Sequence, residues 1–182
     1  MPSRRSHPSL QAINLPLRLF GLVPESIVDG PGVRFVVFVQ GCPHHCPGCH
    51  NPGSHDFGGG IISSTAEVWE KIEKMPHLEG VTFSGGEPFC QPEPLAQLGR
   101  LARERGLTVM TYTGYTAEAL FDMAETDSKI RELLSVTNYL VDGRFEADKR
   151  DLTLKYRGCS NQRILDITAY PNSKNYIPAE FC

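Results

Sequence analysis

The sequence predicts an α/β fold with a mainly parallel sheet, and three observations predict it. Short β-branched and aromatic runs alternate with stretches whose apolar residues recur at helical spacing. Residues able to cap or stop a helix bound those stretches. The 17 glycines and 14 prolines imply many tight connections rather than a disordered chain. Strands that alternate with helices require crossover connections and give a sheet covered by helices. Such a sheet is either open and doubly wound or a barrel or partial barrel. At 182 residues the chain forms one domain and falls short of the ~250 of a full eightfold barrel.

Residues 1–16 mix Pro, Ser, Arg and His without periodicity and are expected to be a flexible N-terminal segment. RFVVFVQ (34–40) fits a strand buried on both faces. Ser64 and Glu67 form a capping box, after which Val68, Ile72 and Met75 share a helix face until Pro76 stops it. GVTFS (80–84) is the next strand, and Leu95, Leu98 and Ala102 mark a helix that Gly106 terminates. LTVMTYT (107–113) is a third strand. Thr116 caps a short helix with Leu120, Phe121 and Ala124 inward, and Ile130, Leu133 and Leu134 mark another. NYLVDG (138–143) and QRILDI (162–167) are the last strands, and PNSKNYIPAEFC (171–182) is a patternless tail. The folded domain is therefore expected at 17–170, with Trp69 and the Leu stripes in its core.

Hydrophobic residues at 40% and charged residues at 21% suit a soluble globular protein. A net charge of −3 without a basic stripe argues against nucleic acid as a partner. The apolar stretches LPLRLFGLV and RFVVFVQGC carry Arg18 and Arg34 and fall short of the ~20 residues that span a bilayer. The N-terminus shows no apolar region with a cleavage site, so no secretory signal is read and a cytoplasmic location is expected.

In a reducing compartment, closely spaced thiols are more often metal ligands or redox groups than disulfides. GCPHHCPGCHNPG (41–53) places Cys42, Cys46 and Cys49 just after the first strong strand, where α/β proteins gather ligands. Cys90, Cys159 and Cys182 are scattered and read as small buried hydrophobes or incidental thiols. Zinc is one reading, with His44, His45, His50 or His55 as a fourth ligand, but the second ligand couple usual in structural sites is missing. An iron–sulfur cluster is the other. A four-iron cubane held by three cysteines has one iron without a protein ligand, open to a small molecule.

The C-x3-C-x2-C spacing resembles that of the radical S-adenosylmethionine superfamily. SGGEP (84–88), at the end of the second strand, resembles its glycine-rich methionine-binding turn. There Gly85 and Gly86 allow close backbone approach, and Glu87 offers a carboxylate to an ammonium group. DGPGVR (29–34) is similar to the corresponding stretch of the glycyl-radical-enzyme activases. TYTGY (111–115), LVDGRFEAD (140–148), RD (150–151) and YRGCSNQR (156–163) resemble the activases of anaerobic ribonucleoside-triphosphate reductase, over roughly 20–167. The expected architecture is then a partial (β/α) barrel of about five to six strand-helix units.

The resemblance implies that the open iron of a 4Fe-4S cluster chelates S-adenosylmethionine. One electron then yields a 5'-deoxyadenosyl radical, which removes hydrogen from a glycine of the reductase large subunit. An electron donor such as flavodoxin or ferredoxin is implied as well. Cys42, Cys46 and Cys49 would be the metal ligands, and Gly85, Gly86 and Glu87 would hold the methionine end. Backbone around Gly48 and His50 would contact adenine, since Gly48 stands where many superfamily members carry an aromatic residue. Cys159 departs from the Ser usual at its position. Asp29 to Gly32 form a tight turn or admit the partner's glycine loop; Arg157 and Asn161 contact the partner or cap a loop. His44 and His45 read as solvated loop residues. Two rivals stand beside this reading: an activase of pyruvate formate-lyase, favoured by CHNP (49–52), and a zinc-stabilised binding module without catalysis.

Overall fold

The computed structural model describes residues 14–179 and 181. Eight strands form one sheet in the order β3-β1-β2-β4-β5-β6-β7-β8. Its centre is parallel: β2 (Arg34–Val39), β4 (Gly80–Gly85), β5 (Thr108–Tyr112) and β6 (Tyr139–Asp142) lie side by side. The flanks are antiparallel, with β1 (Pro16–Ser26) and β3 (Ile61–Ser64) on one side and β7 (Arg163–Asp166) and β8 (Ile177–Pro178) on the other. Three of the seven strand pairings are parallel, which corrects the expectation of a mainly parallel sheet.

Helices make three crossovers: α1 (Thr65–Glu73) before β4, α2 (Pro92–Glu104) before β5, and the pair α3 (Ala117–Thr126) and α4 (Ser128–Val136) before β6. The expected count of five to six strand-helix units is too high because α3 and α4 serve one crossover and β7 returns without a helix. The local codes act as expected. Ser64 and Glu67 complete the capping box, Thr116 accepts from the Ala119 N–H, and Gly106 takes a left-handed φ of 82° beyond α2.

Side-chain alternation divides the sheet into two faces. Phe35, Val37 and Val39 of β2, Val81 and Phe83 of β4, Val109 of β5 and Leu140 of β6 join the main core with the inner stripes of all four helices. Trp69 belongs to that core. Met110, Val141 and Ile164 point the other way, into a smaller cluster with Tyr112, Tyr139 and Tyr156. Helices thus cover one face only, whereas a doubly wound sheet needs them on both. The uncovered face is left for a site.

The segment boundaries also shift. Pro16 opens β1, and Ile177–Pro178 of the expected tail pair with β7. Residues 1–13, which make up most of the expected N-terminal segment, and Cys182 lie outside the described residues.

Candidate active site

A cavity of about 620 Å³ opens at the carboxyl ends of the four parallel strands. Phe38, Ser84 and Tyr112 of its wall have the opposite parity to the helix-facing residues of their strands. Cys42, Cys46, Cys49 and His50 line it after β2, Gly85 and Gly86 at the end of β4, Thr113 and Gly114 after β5, and Gly143 and Phe145 after β6. Val28 and Asp29 border it before β2, and Asp151, Leu152, Leu154, Tyr156 and Arg157 border it from the segment leading to β7.

The cysteine loop is closed on itself by its own backbone. Gly41 N–H donates to Ser54 O at 2.8 Å and Cys42 N–H to His55 O at 3.1 Å. The Gln40 amide grips the same return, donating to Gly53 O at 3.0 Å and Asp56 O at 2.6 Å. Cys49 N–H turns back to Cys46 O at 3.1 Å, and the Asn51 N–H donates to Cys49 Sγ at 3.4 Å. Burial pushes the Cys42 thiol up from its ordinary value, while backbone N–H groups of His44 and His45 pull the other way.

The glycine turn is interlocked with this loop. Gly85 has a φ of 97°, a left-handed conformation that disfavours any other residue. A Cβ on Gly86 would lie 2.4 Å from Gly41 O, so only hydrogen allows the two turns to touch. Gly86 N–H donates to Val39 O and Glu87 N–H to Gly41 O, both at 2.8 Å.

Glu87 departs from its expected role. Its side chain is fully buried and takes no part in the cavity wall. Its carboxylate accepts from Phe89 N–H (3.0 Å), Thr113 Oγ1 (3.0 Å) and Gly114 N–H (2.9 Å), and His44 Nε2 lies 2.8 Å from Oε2. With those acceptors taken, Glu87 ties the cysteine loop to the loop after β5 and has no oxygen turned to a ligand's ammonium. His44 is corrected with it: its side chain is 5% exposed, paired with Glu87 and edge-on to Tyr115 at 4.6 Å, not solvated. Sequence reasoning missed both partners because Glu87 meets donors up to 43 residues away.

Gly48 lies outside the cavity wall, with a φ of 74° and Phe145 and Ala147 beside it, whereas His50 lines the cavity and packs on Phe145 at 4.7 Å. Arg157 lines the cavity while donating to Gln162 O at 2.8 Å, and Asn161 braces Arg144 O at 2.9 Å. Cys159 is fully buried and its Sγ donates to Glu146 O at 3.2 Å, while Cys90 ends a 3-10 turn outside the cavity wall. Sequence reasoning offers His55 only as a possible fourth zinc ligand and Tyr112 only within TYTGY, and the structure places both in the cavity wall. Tyr112 donates to Tyr156 O at 2.6 Å, and burial raises its phenol. His55 lines the cavity with its Nε2 buried and without a hydrogen-bond partner among the described residues.

The donor set suits an iron–sulfur cluster: the thiols of Cys42, Cys46 and Cys49 line one cavity at the strand ends, and soft thiolates favour such clusters.

A one-sided α/β sheet with three cysteines and a glycine turn at its strand ends defines an iron–sulfur protein, and a protein-family profile described as "4Fe-4S single cluster domain" matches residues 28–165. The anaerobic ribonucleoside-triphosphate reductase-activating protein of Salmonella typhi is 34% identical over 157 residues, covering 81% of this chain and 97% of that protein. The pyruvate formate-lyase-activating enzyme of Clostridium pasteurianum is 39% identical over 104 residues, covering 54% and 44%. The solved structure of QueE from Escherichia coli aligns with a TM-score of 0.42 at 18% identity, over 57% of this chain and 53% of that chain. The chain belongs to the family of anaerobic ribonucleoside-triphosphate reductase-activating proteins.

Proposed function

We propose that this protein activates an anaerobic ribonucleoside-triphosphate reductase by forming a glycyl radical in its large subunit. The single observation that carries the reading is the shared cavity of Cys42, Cys46, Cys49, Gly85 and Gly86 at adjacent strand ends. Cys42, Cys46 and Cys49 would hold three irons of a 4Fe-4S cluster and leave the fourth without a protein ligand. When bound, the cluster supplies one electron for cleavage of S-adenosylmethionine to a 5'-deoxyadenosyl radical that abstracts a glycine hydrogen.

Gly85 and Gly86 would present backbone to the methionine end, held in place by Glu87 from behind. His50, packed at a tilt against Phe145, would border the nucleoside together with backbone near Gly48. Val28 and Asp29 line the cavity together with Leu152 and Tyr156, which supports entry of a partner's glycine loop there. We read the one-sided parallel centre as a partial (β/α) barrel and the protein as cytoplasmic, with a flavodoxin or ferredoxin as electron donor. Among the described residues, no helix is long and apolar enough to cross a membrane. The likeness to the Clostridium pasteurianum enzyme supports a second reading, an activase of pyruvate formate-lyase.

Anaerobic reconstitution with iron and sulfide tests the reading. The expected product is a brown protein that releases 5'-deoxyadenosine under reduction and raises a glycyl-radical signal in the reductase but not in the lyase. The Cys42→Ala variant should remain soluble and lose that cleavage, since among the described residues no fourth thiol lines the cavity. A colourless protein holding one zinc per chain would overturn the reading, and activation of the lyase alone would replace its substrate.

A further inference from the structure

We propose that Phe181 is a positioning residue: by packing on Tyr156 it holds the stretch from Tyr156 to Gly158 of the cavity wall against His50, where the nucleoside of S-adenosylmethionine would bind. The inference rests on the functional reading above and adds a residue that lies outside the cavity wall.

Tyr156 needs support from its surroundings. Its φ of 57° is left-handed, a conformation that residues with a β-carbon rarely adopt and that persists only where neighbours over-determine it. The Tyr112 hydroxyl donates to the Tyr156 carbonyl at 2.6 Å and fixes its backbone from β5. Phe181 fixes its ring. The two stand edge-on with centroids 5.7 Å apart at 77°, and Phe181 is also edge-on to Tyr139 of β6 at 5.0 Å and 84°. Tyr139 ties this contact to the sheet, since it pairs with Met110 and Asp166. The approach to Phe181 is itself anchored: Ile177 and Pro178 pair with Asp166 and Leu165, and Ala179 N–H donates to Ile164 O at 2.8 Å.

The residues that follow Tyr156 meet the cysteine loop. Arg157 Nη1 donates to Gln162 O at 2.8 Å and Gly158 N–H to Gln162 Oε1 at 3.0 Å. A Cβ on Gly158 would lie 3.3 Å from His50 Cε1 and 3.7 Å from the Phe145 ring, so the wall closes directly on that pair. Tyr156, Arg157, Gly158, His50 and Phe145 all line the cavity. Edge-to-face rings favour one mutual orientation, which is lost with either ring. Without the Phe181 ring, relaxation of the left-handed residue draws Arg157 and Gly158 away from His50. A nucleoside that needs the closed wall then binds in proportion to the fraction of molecules that keep it closed.

Two readouts separate positioning from plain stabilisation. In the full-length protein, with or without its cluster, trypsin cleavage after the exposed Lys155 reports release of Tyr156, and cleavage after Lys74 beyond α1 reports general opening. A wall open in about one wild-type molecule in twenty, and in about two of three Phe181→Ala molecules, gives about tenfold faster cleavage after Lys155. Cleavage after Lys74 should keep the wild-type rate. In reconstituted, oxygen-protected protein, S-adenosylmethionine should bind the Ala variant about threefold more weakly, with iron content and the rate of 5'-deoxyadenosine release at saturation unchanged. Phe181→Tyr, which keeps the ring, should restore both. Equal acceleration at Lys155 and Lys74, unchanged binding, or failure of Phe181→Tyr to restore it would overturn the proposal.

Should the Ala variant fail to fold, Phe181→Leu, which keeps apolar bulk without an aromatic edge, takes its place. Selective cleavage after Lys155 and weaker binding at an unchanged saturated rate are then expected of it, and a Leu variant indistinguishable from the wild type sinks the proposal. A wild type that forms no cluster at all would instead remove the underlying functional reading, and the trypsin comparison would still decide whether Phe181 holds Tyr156.

Discussion

The Arg34 guanidinium is fully buried, and its five N–H donors meet five uncharged acceptors. Nε donates to Thr82 Oγ1 at 2.7 Å; Nη1 reaches Pro31 O and Thr108 Oγ1; Nη2 reaches Val81 O and Thr108 O. Burial lowers its pKa to about 10. Gly80 makes the room, since a Cβ there would lie 2.2 Å from Nη1. The same Thr82 hydroxyl donates to Asp29 O at 2.7 Å, so Arg34 and Thr82 pin the turn that borders the cavity. We expect Arg34→Met to lose about 3 kcal/mol or more, because buried carbonyls are left unpaired, and Arg34→Lys, with three donors, to fall between. Urea unfolding measures both; a Met variant as stable as the wild type would refute this account. DGPGVR was legible as a turn, but the use of its arginine was not, because four of the five acceptors lie 47 to 74 residues away. The same holds for Glu87: the sequence supplied the residue type and its place after a strand, while the fold decided which way the carboxylate faces.

Elements were legible where their code is local. Ser64 Oγ accepts from Glu67 N–H at 3.3 Å and Glu67 Oε2 accepts from Ser64 N–H at 3.2 Å, a contact between residues three apart. The bond satisfies donors that the first turn of α1 leaves free, so Ser64→Ala should cost about 1 kcal/mol while leaving iron uptake unchanged. Thermal unfolding and iron content of the variant check both halves, and an unchanged melting temperature would count against the box as a stabilising device. The strands the sequence missed lack such a code. β1 contains Gly21 and Pro24, and its pairing with β2 is interrupted between Leu19 and Gly21 and again between Val23 and Ser26. Its apolar alternation is therefore broken. β3 is an edge strand of four residues that exposes Ile61 and Ile62. The direction of β7 depends on its pairing with β6, which no single-strand pattern records.

At the scale of the whole molecule, one charged knot joins the closing strands to the last crossover. Arg163 on β7 donates through Nε to Asp142 Oδ1 at 3.0 Å and through Nη2 to Oδ2, while Asp142 Oδ2 also accepts from the Ala117 N–H at 2.8 Å at the start of α3. The guanidinium continues to Glu118 at 2.9 and 3.1 Å and lies over the Tyr176 ring, whose hydroxyl donates to Glu118. The segment that forms the outer cavity wall, from Gly143 to Gln162, hangs between the two clamped strands. Hydrogen bonds from Arg163 and Tyr176 hold the Glu118 carboxyl down to about 2, below its ordinary 4.5. A depressed carboxyl stabilises the fold above its unfolded value, and that contribution fades as the pH falls from about 4.5 to about 2. Because the Glu118 side chain is 54% exposed, solvent screening limits the contribution to roughly 0.2–1 kcal/mol. Glu118→Gln should therefore be slightly less stable than the wild type at neutral pH, and its stability should decline less steeply over that acid window. Urea midpoints taken across the window measure the difference in slope. Parallel acid profiles for the two proteins would show that the carboxylate contributes nothing to the clamp and that Asp142 and Arg163 alone hold the wall in place.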